Sequence, residues 1–402
     1  MSLGYLFPGI GTMFDQTPLI AISRIVLILL GILLVYLGKK GTLEPLIMIP
    51  MGFGMAAINA GVLFLPDNDG GQKIGTIFLD PLLTDAGELV DIMQIDWLQP
   101  IYTLTFSNGL IACLVFMGIG AISDIGNVMK FPFTSMLIAL FAEFGSIATF
   151  PIATAMGLDP GAAAAISVVG GADGPMVLFT SLMLAREYFV PITIVAYLYL
   201  SLCYGGYPYL CKLLIPKELR GQVMKTSNKM EIKPFEKIIF CVIACTILCL
   251  LFPVAAPLFL SFFLGNAIKE SGVLSYIKLL EEVFLYTATF FLGLLLGVLC
   301  EASTLLKPEI LILLVLGILA LLLSGIGGII GGYIVYFMNR KQFNVTIGIA
   351  GVSCVPSTAK VAQKAAKAAN KRVVILHYAM GASICGVITS AIITGLYVTM
   401  LK

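Results

Sequence analysis

Charge is what this chain of 402 residues has least of. Asp, Glu, Lys and Arg together make 11% of it, against a hydrophobic share of 59%. An ordinary soluble domain is about 25% charged. A water-facing surface of this length cannot be covered with so little charge. That excludes a soluble globular enzyme and a disordered chain, and leaves an integral membrane protein. The net charge of +2 gives a nucleic-acid partner no support. A single His excludes a His-rich metal site. Cysteine is not scarce, but Cys113, Cys241, Cys245, Cys249 and Cys385 lie in apolar runs. There a free thiol acts as a small hydrophobe, not as part of a disulfide framework. Cys241, Cys245 and Cys249 share one helical face, and a metal site is the alternative reading. The patterns H-E-x-x-H, G-x-S-x-G and the P-loop are missing too. No A-x-A-like site follows the first apolar run, so no cleavable signal is expected.

What is present is a series of long apolar runs. A spanning helix needs roughly 20 apolar residues. The candidates are 19–37, 43–65, 101–122, 133–156, 160–185, 188–214, 238–266, 279–300, 308–338 and 373–400. An eleventh segment, 342–362, is too polar and Gly-rich for a simple span. Residues 66–97 are acidic and 217–237 basic, so the positive-inside rule puts the second inside and the first outside. The four runs between them would then make an even number of crossings where an odd number is required. One of them must enter and leave on the same side. The best suspect is 160–185, broken at Gly170-Gly171-Ala172-Asp173-Gly174-Pro175. Irregular backbone at membrane depth is tolerated where protein or a water cavity satisfies it.

A second broken segment, Gly348-Ile349-Ala350-Gly351-Val352-Ser353-Cys354-Val355-Pro356, lies late in the chain. Its surroundings echo the first. Asp124 follows one span and Pro132 opens the next; Glu301 follows another and Pro308 opens the next. Interrupted segments in corresponding halves point to a transporter site between inverted repeats. The expected architecture is an all-α polytopic membrane protein of about 9–11 membrane segments in two inverted repeats. Residues 1–216 form the first repeat with an acidic external loop 66–97, residues 217–237 a basic cytoplasmic linker, and residues 238–402 the second repeat.

Asp173 is the leading functional candidate, because an acid in an otherwise uncharged run faces a cavity or a partner. Glycines beside it let carbonyls approach an ion, and hard oxygen ligation suits sodium. The competing reading is that Asp173 merely caps the following helix. Asn344 and Ser353 offer neutral oxygens beside Gly348 and Gly351, or serve as glue between helices. Glu143, alone in an apolar run, could relay protons, bind an ion or pair structurally. Lys360, Lys364, Lys367, Lys371 and Arg372 make a basic amphipathic stretch suited to anionic lipid. Lys360 could also reach a carboxylate-bearing substrate from its place after Ser353. His377 reads as a satisfied interfacial residue. With no ATP site, transport energy must come from an ion gradient or a partner.

Two motifs carry a family resemblance: Val169-Gly170-Gly171-Ala172-Asp173-Gly174-Pro175, and the run from Asn344 to Pro356. Met380-Gly381-Ala382-Ser383 and Gly386-Val387-Ile388 add to it. Over nearly its whole length the chain resembles the beta subunit of the sodium-pumping, biotin-dependent decarboxylases, which act on oxaloacetate, methylmalonyl-CoA or glutaconyl-CoA. The resemblance implies that Asp173 is the sodium- and proton-coupling carboxylate. It implies roles for Tyr199 by spacing, for Asn344, Gly348 and Ser353 by motif, and for Lys360 and Ser383. Asp173, Tyr199 and Lys360 would be catalytic. Asn344, Gly348, Ser353 and Lys360 would bind substrate, and Asp173, Ser353, Ser383 and Asn344 sodium.

The family's better-known members carry Arg where this chain has Lys360, which keeps the charge and loses the bidentate fork. They tend to carry Asn where it has Ser383. The implied reaction decarboxylates carboxybiotin on a partner carrier, consumes a proton and moves sodium outward, by an elevator-like shift. The implied cofactors are the sodium ion and a biotin supplied by a partner. The implied partners are a biotin carrier, a carboxyltransferase alpha subunit, a small gamma or delta membrane subunit, further copies in a trimer, and membrane lipid. The place would be the inner (plasma) membrane of a prokaryote. A sodium-coupled secondary transporter of a small carboxylate is the alternative.

Overall fold

The computed structural model describes residues 7–66, 72–80, 96–224, 232–306 and 308–402. Most of the acidic stretch 66–97, with Lys225 and Lys229 of the linker, lies outside them. Helix α1 (Pro8–Asp15) leads into α2 (Pro18–Lys39) and α3 (Pro45–Ala60). An antiparallel hairpin of β1 (Leu63–Pro66) and β2 (Gln72–Gly75) is the only sheet among the described residues. Then come α4 (Gln99–Phe106), α5 (Leu110–Ile122), α6 (Pro132–Ala142) and α7 (Phe144–Ala155). Next are α8 (Pro160–Ser167), α9 (Gly174–Leu184) and α10 (Phe189–Leu214). The rest of the chain forms α11 (Pro234–Leu251), α12 (Ala256–Ser271), α13 (Leu274–Leu299), α14 (Pro308–Met338), α15 (Ser357–Ala369) and α16 (Leu376–Leu401).

Among the described residues α2, α11, α13, α14, α16 and the pair α6–α7 taken together are long and apolar enough to cross a membrane, six spans in all, or up to eight when α4 with α5 and the two bent halves of α10 count as one span each. The chain is an all-α, multi-pass membrane protein. Several expected spans are interrupted, each for a local reason. The run 238–266 is two helices, not one. Pro253 has no N–H to continue α11 and pushes Phe252 out of the helical region, to φ −132° and ψ 68°. Lys237 near the start of α11 meets Glu270 at the end of α12 at 2.9 Å, so the two helices run antiparallel. The run 43–65 is helical only over the 16 residues of α3. The run 101–122 breaks before α5, where Gly109 takes φ +79°. The run 133–156 turns at Glu143, between α6 and α7.

Two compact units emerge: Met1–Ile111 with Thr287–Ile312, and Ala112–Tyr286 with Leu313–Lys402. The first is held by a buried cation. Arg24 of α2 is 1% exposed. It donates to the Asn59 carbonyl at 2.9 Å, Gln16 Oε1 at 2.9 Å, Thr12 Oγ1 at 3.1 Å and the Gly9 carbonyl at 3.2 Å. A guanidinium in an apolar helix needs such a set of acceptors. Beside it α2 and α3 cross backbone to backbone, and a methyl on Gly31 would stand 2.6 Å from the Gly52 carbonyl.

In the second unit Lys237 also pairs with Asp124 at 2.8 Å. Burial opposes charge on Asp124, but the bonds from Lys237 and the Gly126 N–H outweigh it. Its carboxyl is held below the usual carboxylate range.

Candidate functional site

The first broken segment is a hairpin. Asp159 Oδ2 caps α8 by accepting from the N–H groups of Gly161 at 2.9 Å and Ala162 at 3.1 Å. After Ser167 the helix tightens into a 3-10 turn over Val168–Gly171. Ala172 then sits in the left-handed region at φ 52°, Asp173 is extended, and α9 starts at Gly174 with Pro175 in its first turn. Successive glycines favour no helix, and Pro175 brings no N–H, so the break is written into the motif. The two arms return to the same end, for a methyl on Gly161 would clash with the Leu184 carbonyl. The parity of crossings asks for such a return in at least one of four runs, and 160–185 is its best suspect.

The second broken segment is also a hairpin, and its feet are polar. Asn344 Oδ1 accepts from the Thr346 N–H at 3.0 Å. Its Nδ2 donates to the carbonyls of Arg220 at 3.0 Å and Gln222 at 2.8 Å. A 3-10 stretch, Val345–Gly351, carries the chain inward. It lies flat on α14, where a methyl on Gly332 would stand 2.5 Å from the Val345 carbonyl and 3.1 Å from Gly348 Cα. After Pro356 the arm α15 returns to Asn370, whose Nδ2 donates to the Gly221 carbonyl at 2.9 Å. Both feet therefore stand on Arg220–Gln222. Helix α10 begins just past the foot of the first hairpin and ends just before that loop. The hairpins thus enter from opposite ends of α10.

Their tips meet. The Ser353 N–H donates to the Gly171 carbonyl at 2.9 Å, and Ser353 Oγ donates to the same oxygen. Helix α16 runs past this junction. A methyl on its Gly386 would collide with the Gly351 carbonyl and lie 3.1 Å from Ser353 Cα. One turn before, Ser383 Oγ is 3.3 Å from Thr358 Oγ1, which donates to the Val352 carbonyl at 2.8 Å. One turn after, Ser390 faces Gly171.

Several polar atoms around the junction are buried with no hydrogen-bond partner among the described residues: Asp173 Oδ2, Glu143 Oε1, Tyr197 OH, Ser324 Oγ and Ser390 Oγ. Each such group costs about 1–3 kcal/mol. Several of them around one junction mark a ligand position rather than a packing solution. Asp173 occupies the N-cap of α9 but closes no capping hydrogen bond, although its charge feels the Met176 N–H. Met176 is the third residue of α9, so one carboxylate oxygen lies toward the helix start while Oδ2 is left over. The orphan set is one of hard oxygens, which suits a monovalent cation or a proton.

The sequence candidates divide. Asp173 and Ser353 are at the tips, and Ser383 is joined to the second tip through Thr358. Gly348 lets the second hairpin lie on α14. Asn344 is at the foot, behind seven 3-10 residues that rise about 2 Å each, and both its amide nitrogen and its oxygen have backbone partners. Lys360 is exposed in the first turn of α15. Tyr199 does not join the tips, since its hydroxyl donates to the Leu314 carbonyl of α14 at 2.8 Å. Tyr197 stands there instead, with its hydroxyl where a methyl on Gly174 would be 2.6 Å away. Two residues apart on a helix is about 200° of rotation, so the two tyrosines face opposite ways. Nothing in the sequence chose between them. Ser390 left no signal, being one more hydroxyl in an apolar helix.

Sequence comparison agrees with the motifs. The profile of the Na+-transporting oxaloacetate decarboxylase beta subunit family matches residues 23–401. The chain belongs to this family. It is 58% identical over 396 residues to a carboxybiotin decarboxylase of Malonomonas rubra, covering 98% of each chain. It is 32% identical to the methylmalonyl-CoA decarboxylase subunit beta of Propionigenium modestum, covering 94% of this chain and 95% of that one. Against the oxaloacetate decarboxylase beta chain of Klebsiella pneumoniae it is 30% identical, covering 98% of each.

Proposed function

We propose that this subunit removes the carboxyl group from carboxybiotin on a partner carrier and couples that step to outward sodium movement. The N–C bond to the carboxylate breaks, carbon dioxide leaves, and the biotin nitrogen takes a proton. The observation that carries the reading is the buried, unpartnered Oδ2 of Asp173 beside the junction of two hairpins that enter from opposite ends. A carboxylate in that place needs a positive counter-charge at all times. Sodium supplies it in one state and a proton in the other, so release of sodium obliges Asp173 to take up a proton. That proton is then available to the biotin nitrogen. Ser353 fixes the tips together, and Ser383 offers a further hydroxyl through Thr358. Lys360, exposed in the first turn of α15, draws the anionic carboxybiotin.

The same reading includes a biotin carrier, a carboxyltransferase alpha subunit and a small gamma or delta membrane subunit as partners. It also includes a trimer of this chain and two inverted repeats, 1–216 and 238–402, about the linker 217–237, with an elevator-like shift of the hairpins. The names of the relatives support the decarboxylation and the ion. They leave the parent carboxylate to the carboxyltransferase.

The test uses the purified complex reconstituted in vesicles with sites facing outward, and a carrier charged with carboxybiotin. Carbon dioxide release that requires sodium, uptake of radioactive sodium, and loss of both with avidin are expected. Sodium uptake driven by a carboxylate gradient, indifferent to avidin, would replace the pump with a secondary transporter.

A further inference from the structure

A second carboxylate lies at the same junction and the scheme above does not use it. Glu143 is 1% exposed, at the turn between α6 and α7. Its Oε2 accepts from Ser146 Oγ at 2.7 Å, while Oε1 has no partner among the described residues. Ser390 of α16, also 1% exposed, has an equally open Oγ. Both open oxygens face one point: a methyl on Gly171 would stand 2.5 Å from Ser390 Oγ and 3.4 Å from Glu143 Oε1. Lacking a side chain, Gly171 lets both oxygens come close to its backbone.

We propose that Glu143 and Ser390, with Ser146 behind them, bind a monovalent cation beside Gly171, and that this cation is a second sodium ion. Counting charge carries the argument. Asp173 and Glu143 feel each other's charge, and neither pairs with a Lys, Arg or His among the described residues. Two buried carboxylates without a basic partner need two positive charges, and one sodium ion at Asp173 leaves the second bare. A proton on Oε1 would also cancel the charge and could be donated toward Ser390 Oγ, so the sodium count in the test below separates a proton from an ion. Lone pairs that converge on one space are filled by a cation. The proposal rests on the pump reading, because it takes sodium to be the ion handled at Asp173.

The test is equilibrium binding of radioactive sodium to the purified complex, with assembly checked by size-exclusion. Glu143→Gln removes the charge at constant shape and is expected to bind one sodium ion fewer per chain than wild type. Ser390→Ala keeps the number and weakens one class of site by about tenfold. Equal stoichiometry in Glu143→Gln with an unchanged affinity in Ser390→Ala overturns the second site and leaves the pump standing. A wild-type complex that binds no sodium overturns both. Should Glu143→Gln fail to assemble, the affinity of Ser390→Ala decides alone.

Discussion

Gly386→Ala should separate the junction of the tips from helix stability in general. In the interior of a helix, Gly to Ala is worth about 1 kcal/mol in favour of Ala. On α16 the new methyl would press on the Gly351 carbonyl and stand 3.1 Å from both Cα and Cβ of Ser353. These are backbone and near-backbone atoms, so nothing flexible can swing aside. Overpacking of this kind costs about 1–3 kcal/mol. The cheapest relief is to push Ser353 away from Gly171, which forfeits two hydrogen bonds worth about 0.5–1.5 kcal/mol each. Either way the cost is about 1–3 kcal/mol, which equals or exceeds the helical gain, and the loss falls on the site. The control is Gly206→Ala in α10, where a methyl meets nothing within 4 Å. Thermal unfolding of the purified complex and the sodium concentration for half-maximal carbon dioxide release give the two readouts. Gly206→Ala should hold or raise stability with sodium dependence unchanged. Gly386→Ala should lower stability and shift the sodium requirement upward. A Gly386→Ala complex with the sodium dependence of wild type would refute the junction as the ion's position.

Other substitutions follow from the same geometry. Tyr199→Phe strips a donor from the Leu314 carbonyl and should cost about 0.5–1.5 kcal/mol in unfolding, with sodium affinity intact. Tyr197→Phe removes a buried hydroxyl with no partner, so stability without sodium should rise, by up to about 1–3 kcal/mol, while the sodium requirement rises in decarboxylation assays. Asn344→Ala leaves the Arg220 and Gln222 carbonyls without their donor and should destabilise by about 1–3 kcal/mol for each that stays buried, read as protease cutting near residues 220–222. Asp124 has its pKa lowered in the folded protein. Its contribution is therefore present above the unfolded carboxylate pKa and is lost as pH falls through the folded one. Lys237→Met should flatten that acid limb in pH-dependent unfolding.

Composition and local chemistry made much of the fold legible. Apolar runs with little charge required membrane helices, and the sign of two loops required one run to turn back. Gly170-Gly171 and Pro175 showed where, and the contact of Gly161 with Leu184 is the physical form of that turn. Hydropathy was blind where a break kept the run apolar. Phe252-Pro253 lies in an unbroken hydrophobic stretch, so two antiparallel helices read as one span. The prolines were visible, yet proline is also tolerated inside membrane helices, and only the pairing of Lys237 with Glu270 decides between a kink and a hairpin.

The site was legible where a motif forces the backbone and illegible where the choice is rotational. Asp173 and Ser353 sit in segments whose glycines and prolines fix a break, and breaks must be satisfied by one another inside a membrane. That obligation brings Gly171 and Ser353 together across the sequence. Tyr197 and Ser390 lie on regular helices, where every residue has the same backbone and only packing sets the direction of each side chain. Asn344 shows the reverse error. It stands in a forced segment, but at its foot, where the Thr346 N–H takes the amide oxygen that a bound ion would have used. An oxygen donor in such a motif can serve the ligand only when the backbone around it leaves that oxygen open. Asp173 Oδ2, Glu143 Oε1 and Ser390 Oγ meet that condition.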